Sequence, residues 1–460
     1  MRVADIRTER VAVWGLGREG RAAVSFLRQR HPRLPLLVLD DAGDGRAPDG
    51  LGDGIEYAFG AEKIERALER VDLIVKSPGV SLYRHEIQSA QAAGARVTSL
   101  LNLWFAERPE LTTICVTGTK GKSTTASLIA HILAKLGQRT ALVGNIGVPI
   151  TAIDGASADI AVIEVSSYQA ADFDSLCDIA VLTSLYPEHI DWHRSVDNYF
   201  RDKTNLLNRS RRRIIHRATV ETVERFATSS SAVQDLFEDE CSVHSRGTEL
   251  FDGATAIGQV RDSYLARTHN TSNLCAALAV AKSLDLDPAA ALEAARGFRG
   301  LPHRQQELGE VGGMLFVDDS ISTIPESTFA ALAVYSGRDI TVILGGHDRG
   351  IDYGKLVETA LAGGARAVIC IGKSGERIFA LAQLRARRRG GATCKILRAE
   401  TMAEAVEYAR QITPPGGVVL LSPAAPSYGQ YRDYIERGRD FAAKAGFPAS
   451  SEPNSYSDRE

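Results

Sequence analysis

Short, uninterrupted apolar runs recur along the chain at residues 11–14, 36–39, 73–75, 113–116, 160–163, 341–344, 367–371 and 418–421. Runs without polar alternation suit strands buried on both faces, and the helical patterns between them predict parallel α/β sheets. The pattern breaks at Arg108-Pro109-Glu110 and again at Arg299-Gly300-Leu301-Pro302. Three blocks are therefore expected: 1–108, 109–300 and 301–447. Residues 448–460, rich in Ser, Pro and charge, read as a mobile tail. Residues 209–265 are less regular and are expected to hold an antiparallel or irregular portion.

Composition narrows the partners more than the fold. The chain has 54 basic and 57 acidic residues, a net charge of -3 and 44% apolar residues. That balance favours neither nucleic acid nor an anionic membrane as partner. The beginning of the chain carries no basic segment followed by an apolar run, and no stretch is apolar for long enough to span a bilayer. A cytoplasmic monomer is expected. Six cysteines, Cys115, Cys177, Cys241, Cys275, Cys370 and Cys394, include no CxxC pair, so reduced thiols are expected rather than a zinc or redox motif.

The strongest motif is Thr117-Gly118-Thr119-Lys120-Gly121-Lys122-Ser123-Thr124. It follows an expected strand and opens a helical pattern that continues to Leu136. Glycines there let backbone N–H groups approach phosphates, and the helix N-terminus adds partial positive charge. Lys122 can reach the β- and γ-phosphates of ATP, and the Ser123 hydroxyl can bind Mg²⁺. Val116 stands where the usual phosphate loop has its first glycine, so the loop is shorter. A surface turn that merely contains Gly-Lys-Ser is the competing reading, and the flanking strand and helix weigh against it.

A second glycine motif, Gly15-Leu16-Gly17-Arg18-Glu19-Gly20, follows the run 11–14, and Asp40 and Asp41 end the next strand. Alone, it fits a nicotinamide-dependent dehydrogenase. Physically it reports only a diphosphate or other anion at a helix N-terminus, which UDP also supplies. A nucleotide-regulated switch protein is the third class. It would leave the first glycine motif and the last block idle, whereas a dehydrogenase would leave the phosphate loop, Glu164 and Lys203 unexplained.

With these two motifs, further segments occur in order: Gly144-Asn145-Ile146-Gly147, Glu164-Val165-Ser166-Ser167, Pro187-Glu188-His189-Ile190-Asp191, His269-Asn270-Thr271-Ser272-Asn273, Leu301-Pro302-His303-Arg304, Asp319-Ser320, and Ser422-Pro423-Ala424-Ala425-Pro426-Ser427. Together they resemble the Mur ligase family, which builds the peptide of the bacterial cell wall, over nearly all of residues 1–447. The resemblance implies an α/β fold of three domains: a Rossmann-like N-terminal domain for the UDP-sugar substrate, a central phosphate-loop ATP domain with a parallel sheet, and a Rossmann-like C-terminal domain for the amino acid. It implies ATP and Mg²⁺, with UDP-N-acetylmuramoyl-L-alanine and glutamate as substrates, because the first domain resembles that of the glutamate-adding members.

Residue roles carry over by match. Gly118 to Thr124, Asn273, Arg304 and Asp319 would meet ATP. Ser123, Glu164, His189 and a carbamylated Lys203 would support Mg²⁺, with Lys122, Lys203 and His189 catalytic. Gly15, Leu16, Gly17, Arg18, Asp40, Asp41, Ser77, Pro78, Gly79 and Asn145 would hold the UDP substrate. Ser320, Thr323, Arg349, Ser427, Tyr428 and Tyr434 would hold the amino acid. Ile321 stands where the better-known glutamate-adding ligases carry a lysine, and Arg349 where they carry another. These departures, with Gly-His-Asp-Arg-Gly at 346–350, resemble a branch that adds L-glutamate; D-glutamate remains the alternative. Chemistry alone supports the ligase: a carboxylate must be phosphorylated before an amine can displace it, which calls for a lysine clamp and oxygen ligands for Mg²⁺. His189 and His193, four apart, suggest zinc only if they share a helix face; with no third soft ligand the pair is not read as a metal site, and His193 is read as structural or solvent-facing. Lys203, taken without the resemblance, reads as a surface lysine.

Overall fold

A computed structural model describes residues 1–6, 10–41, 51, 54–108, 110–146, 148–153, 158–228, 232–261, 264–298, 300–388 and 394–447. Pro109, Gly147, Arg299 and the expected tail 448–460 lie outside them. The chain forms two compact units, Met1–Phe298 and Arg299–Glu460.

The first unit holds two sheets. Strands β1 (Val11–Trp14), β2 (Leu36–Asp40), β3 (Ile55–Phe59), β4 (Leu73–Lys76) and β5 (Arg96–Thr98) form a parallel sheet in the order β3-β2-β1-β4-β5. The order reverses between β1 and β4, which opens a crevice at their carboxyl ends where α/β sheets bind ligands. The second sheet contains β6 (Thr112–Thr117), β7 (Thr140–Gly144), β8 (Ile160–Glu164), β9 (Cys177–Leu182), β10 (Ser210–His216), β11 (Val233–Phe237), β12 (Val243–Arg246), β13 (Glu249–Asp252) and β14 (Thr255–Gln259). Their order is β14-β13-β12-β11-β10-β9-β6-β8-β7. The antiparallel portion expected within 209–265 is the β12–β14 meander, while β10 and β11 extend the parallel sheet.

Alternate residues of each central strand enter different cores. Val11 and Val13 share one cluster with Leu36, Val38, Leu73 and Val75, while Ala12 and Trp14 enter another. The first cluster continues into the second sheet through Cys115, Ala161, Ile163, Ala180 and Leu182. The chain changes sheet near residue 108, but one apolar core spans the change, so the first two blocks form one compact unit.

The second unit carries β15 (Gln306–Val311), β16 (Met314–Asp318), β17 (Ile340–Leu344), β18 (Ala367–Cys370), β19 (Lys395–Arg398) and β20 (Val418–Leu421), ordered β15-β16-β20-β17-β18-β19. Only β15 pairs antiparallel. All six cysteines are free thiols, five of them buried. Among the described residues no helix is long and apolar enough to cross a membrane.

Candidate active site

The first glycine motif lies at the switch point of the first sheet. Gly15 has φ 94°, and a Cβ there would press on Ser77, whose Oγ donates to the Gly15 carbonyl at 2.7 Å. A Cβ on Gly20 would fall on that same carbonyl oxygen. Gly17 differs: its φ is -64°, and nothing lies within 4 Å of where its Cβ would be. The fold itself does not require glycine at 17, and the backbone there is open at the N-terminus of the helix Arg18–Arg30. Leu16 N–H donates to Asp40 Oδ2 at 2.6 Å, and Asp41 pairs with Arg84 at 2.7 Å. Arg18 and Gly79 are exposed, Ser77 and Pro78 half-buried. These residues line the carboxyl ends of β1, β2 and β4.

The phosphate loop joins β6 to helix Lys122–Lys135. Gly121 caps that helix at φ 86°, and a Cβ there would strike Asn273; one on Gly118 would strike Thr183. Thr125 Oγ1 donates to Asn273 Oδ1 at 3.2 Å, which ties the loop to helix Thr268–Ser283. Thr119 and Ser123 are buried and Thr124 half-buried, while Lys120 is exposed and pairs with Glu188 at 2.6 Å. Lys122 Nζ donates to the Thr119 carbonyl at 3.0 Å.

Around this loop the second sheet brings further predicted residues to one edge. Glu164 ends β8 in register with Val116 of β6. Its Oε1 accepts from Asn145 Nδ2 at 3.0 Å, whereas its buried Oε2 has no hydrogen-bond partner. An unpartnered carboxylate oxygen beside a phosphate loop fits Mg²⁺, which takes one or two carboxylates and completes its shell with water and phosphate oxygens. The described residues contain no cluster of three or more His, Cys, Asp or Glu. The zinc reading falls on geometry too. His189 precedes helix Ile190–His193 with φ 56°, so the two histidines share no helix face. His193 is buried, with Nδ1 at 2.6 Å from Asp202 and Nε2 at 3.0 Å from Ser167 Oγ.

Lys203, on helix Val196–Asn208, is only 2% exposed. The surface reading is thereby corrected: the side chain turns inward because its Nζ donates to the Gly118 carbonyl at 2.8 Å. Burial, reinforced by neighbouring Lys122, holds its ammonium well below the usual lysine range, and Glu188 and Glu164 oppose that shift. His189 is half-exposed and is also shifted down, chiefly by burial, opposed by Glu188 at 3.7 Å.

In the second unit, the loops after β16, β17 and β20 carry most of the remaining residues, while Arg304 precedes β15 and Tyr434 opens the helix Tyr434–Lys444. Asp319 is buried and accepts from Gln305 N, Ser322 Oγ and Ser422 Oγ; burial raises it to about 6 against those bonds. The Ser320 hydroxyl is engaged within the chain: it donates to the Tyr434 carbonyl at 2.7 Å and accepts from Arg437 Nε at 3.0 Å. Thr323 and Tyr434 are half-buried, Ser427 is buried, and Arg304 and Tyr428 are exposed. Arg349 is exposed, with no hydrogen bond or ion pair among the described residues.

Several pairings were invisible to motif reading. Arg437 is fully buried and also binds the Ser320 and Ala425 carbonyls, so it joins the loops after β16 and β20. His303 pairs with Asp318 at 2.7 Å. Lys76 and Asp172 form a buried pair at 3.0 Å, and Gln169 donates to Glu19 at 2.7 Å. The one available signal was a charged residue inside an apolar or glycine-rich context, as in Leu-Ile-Val-Lys at 73–76.

Comparison with known proteins gives three domain matches in chain order: "Mur ligase MurD-like, N-terminal domain" over residues 9–99, "Mur ligase middle domain" over 116–281, and "Mur ligase, glutamate ligase domain" over 303–425. A Xanthomonas euvesicatoria protein named UDP-N-acetylmuramoyl-L-alanine--L-glutamate ligase is 41% identical, covering 97% of each chain. A Micromonospora protein of the same name is 38% identical, covering 98% of this chain and all of its own. Among solved structures, the Thermotoga maritima UDP-N-acetylmuramate-alanine ligase superposes with a TM-score of 0.54 at 19% identity, covering 95% of this chain and 99% of its own. The Acinetobacter baumannii UDP-N-acetylmuramoylalanyl-D-glutamyl-2,6-diaminopimelate--D-alanyl-D-alanyl ligase gives 0.56 at 16% identity, covering 96% of this chain and 92% of its own. At such identities these two structures speak for the fold alone.

Proposed function

The chain belongs to the Mur ligase family of ATP-dependent ligases that make peptidoglycan precursors, and from that premise we propose that it joins L-glutamate to the L-alanine carboxyl of UDP-N-acetylmuramoyl-L-alanine in the cytoplasm. The names of these relatives support the choice of substrates and of the L isomer. The replacement of a lysine by Ile321 adds to it, since losing one cation changes how glutamate's two carboxylates can be placed.

The observation that carries the reading is a convergence at one sheet edge: the phosphate loop, the unpartnered Glu164 oxygen and the buried Lys203 amine. The substrate carboxylate attacks the γ-phosphorus of ATP, and ADP leaves. The glutamate amine then attacks the acyl carbon, inorganic phosphate leaves, and the nitrogen loses a proton. Lys122 offsets charge on the transferring group, and the loop N–H groups fix its position. Mg²⁺, when bound, supplies Lewis-acid stabilisation of the phosphate oxygens. Ser123, Glu164 and His189 would hold it. Lys203, whose charged form burial disfavours, would react with CO₂ as a free amine and lose a proton; the resulting carbamate would support a second ion.

Gly15 to Arg18, Asp40, Asp41, Ser77 to Gly79 and Asn145 are assigned to the UDP substrate. Asn273, Arg304 and Asp319 are assigned to the nucleotide. Thr323, Arg349, Ser427, Tyr428 and Tyr434 are assigned to glutamate, with Ser320 acting through Arg437 and Tyr434. The test is phosphate release from ATP. It should require the UDP substrate and glutamate together, and Lys122→Ala should abolish it while leaving UDP-substrate binding nearly intact. Release without those substrates, or near-normal turnover in the variant, would overturn the proposal.

A further inference from the structure

The loop after β4 does more than present Ser77, Pro78 and Gly79. Within six residues it makes three hydrogen bonds to the segment that carries His189 and Lys203, the third shared between both oxygens of one carboxylate. The Pro78 carbonyl accepts from Trp192 Nε1 at 3.0 Å, and Ser81 Oγ donates to the Trp192 carbonyl at 2.7 Å. Tyr83 Oη donates to Asp202 at 2.9 and 3.0 Å, one distance to each carboxylate oxygen. Trp192 stacks on Tyr168 at 4.7 Å, and Tyr168 lies 5.2 Å from the His189 ring. Asp202, next in sequence to Lys203, also holds His193 Nδ1, and His193 Nε2 meets Ser167 Oγ. The pattern is self-consistent with protonated Nδ1 donating to Asp202 and Nε2 accepting from Ser167.

An apolar contact would seal the two sheets together without fixing their register. A nearly buried carboxylate shared by a phenol and an imidazole is directional, and so it sets relative position as well as proximity. We propose that Tyr83, Asp202 and His193 are positioning residues, which keep the loop that receives the UDP substrate in register with the helix that carries Lys203 and with His189. The inference rests on the function proposed above. It assigns these side chains a role in aligning the substrate carboxylate with the phosphoryl group, without contact to either.

The test separates registry from binding. In Tyr83→Phe each half-site stays intact, so affinities for the UDP substrate and for a magnesium–ATP analogue, measured separately by calorimetry, should stay within about twofold of the native values. The kcat should nonetheless fall roughly tenfold, the scale expected from losing a charge-assisted hydrogen bond or from a slight misalignment of reacting groups. Asp202→Asn should also lower kcat, and the double variant should be little worse than Asp202→Asn alone, because both changes remove the same charge-assisted interaction. An unchanged kcat in Tyr83→Phe would overturn the inference. So would additive losses, or a weakened affinity for one ligand that accounts for the whole effect. Should Asp202→Asn fail to fold, as its thermal midpoint would reveal, Tyr83→Phe alone still decides. Native protein that makes no product from ATP, UDP substrate and L-glutamate would instead refute the functional reading, and this inference with it.

Discussion

Substituting two glycines of one motif should separate ligand binding from folding. A Cβ at Gly17 would meet nothing within 4 Å, and the backbone there, φ -64° and ψ -174°, is open to any residue. Gly17→Ala should therefore change stability by no more than about 1 kcal/mol, the range of helix N-cap substitutions. A methyl group at that point would instead hold a diphosphate away from the loop's N–H groups. Losing one charge-assisted bond there should cost about 1.5–3 kcal/mol, which is roughly tenfold to hundredfold in Kd. Gly20→Ala should behave in the opposite way, because its Cβ would land on the Gly15 carbonyl and lie 2.9 Å from Ser77 Oγ. It should lose about 1–3 kcal/mol of stability through overpacking. Calorimetry with UDP-N-acetylmuramoyl-L-alanine and thermal melts of both variants provide the assay. Native affinity in Gly17→Ala, or its failure to fold, would refute the argument.

Three further outcomes are expected. Lys203→Ala should lose activity and regain part of it with acetate. In the native protein activity should fall on the acid side as the Lys203 amine, shifted down by burial, takes up a proton and can no longer hold a carbamate. Full activity without acetate would contradict this. Arg349→Ala should weaken glutamate use far more than ATP use, by about 2 kcal/mol or roughly 30-fold in kcat/KM for glutamate, since its exposed guanidinium is desolvated only when a carboxylate binds. Glu19, raised by burial from 4.5 to about 7, contributes stability that is fully present below pH 4.5 and is lost as pH rises through 7. Glu19→Gln should therefore match the native protein at low pH and exceed it by about 1–3 kcal/mol at pH 8, read as a pH-dependent gap in denaturant midpoints.

Much of the fold was legible because its central strands are buried on both faces. The runs at 11–14 and 418–421 are strands with those same bounds, and the others differ by a residue or so at an end. The glycine loops were legible because their geometry is local: strand, tight turn and helix follow one another in sequence. Long-range burial was not. Lys203 looks like any helix lysine until the Gly118 carbonyl, 85 positions away, is brought to its Nζ. Tyr83 and Asp202 stand 119 positions apart, and no periodicity pairs them. Counting four residues from His189 to His193 suggested one helix face, but the left-handed backbone at His189 breaks that geometry. Ser320 was read as a ligand contact from its motif, and only the structure reveals that Arg437 and Tyr434 already engage its hydroxyl.

The central claim is most directly tested by supplying ATP, Mg²⁺ and UDP-N-acetylmuramoyl-L-alanine with L-glutamate in one reaction and D-glutamate in another, and measuring initial rates of product formation by mass. The account predicts ATP-dependent amide formation with a clear preference for L-glutamate. A clear preference for D-glutamate would contradict the stereochemical assignment, and the absence of product with both would contradict the proposed ligation itself.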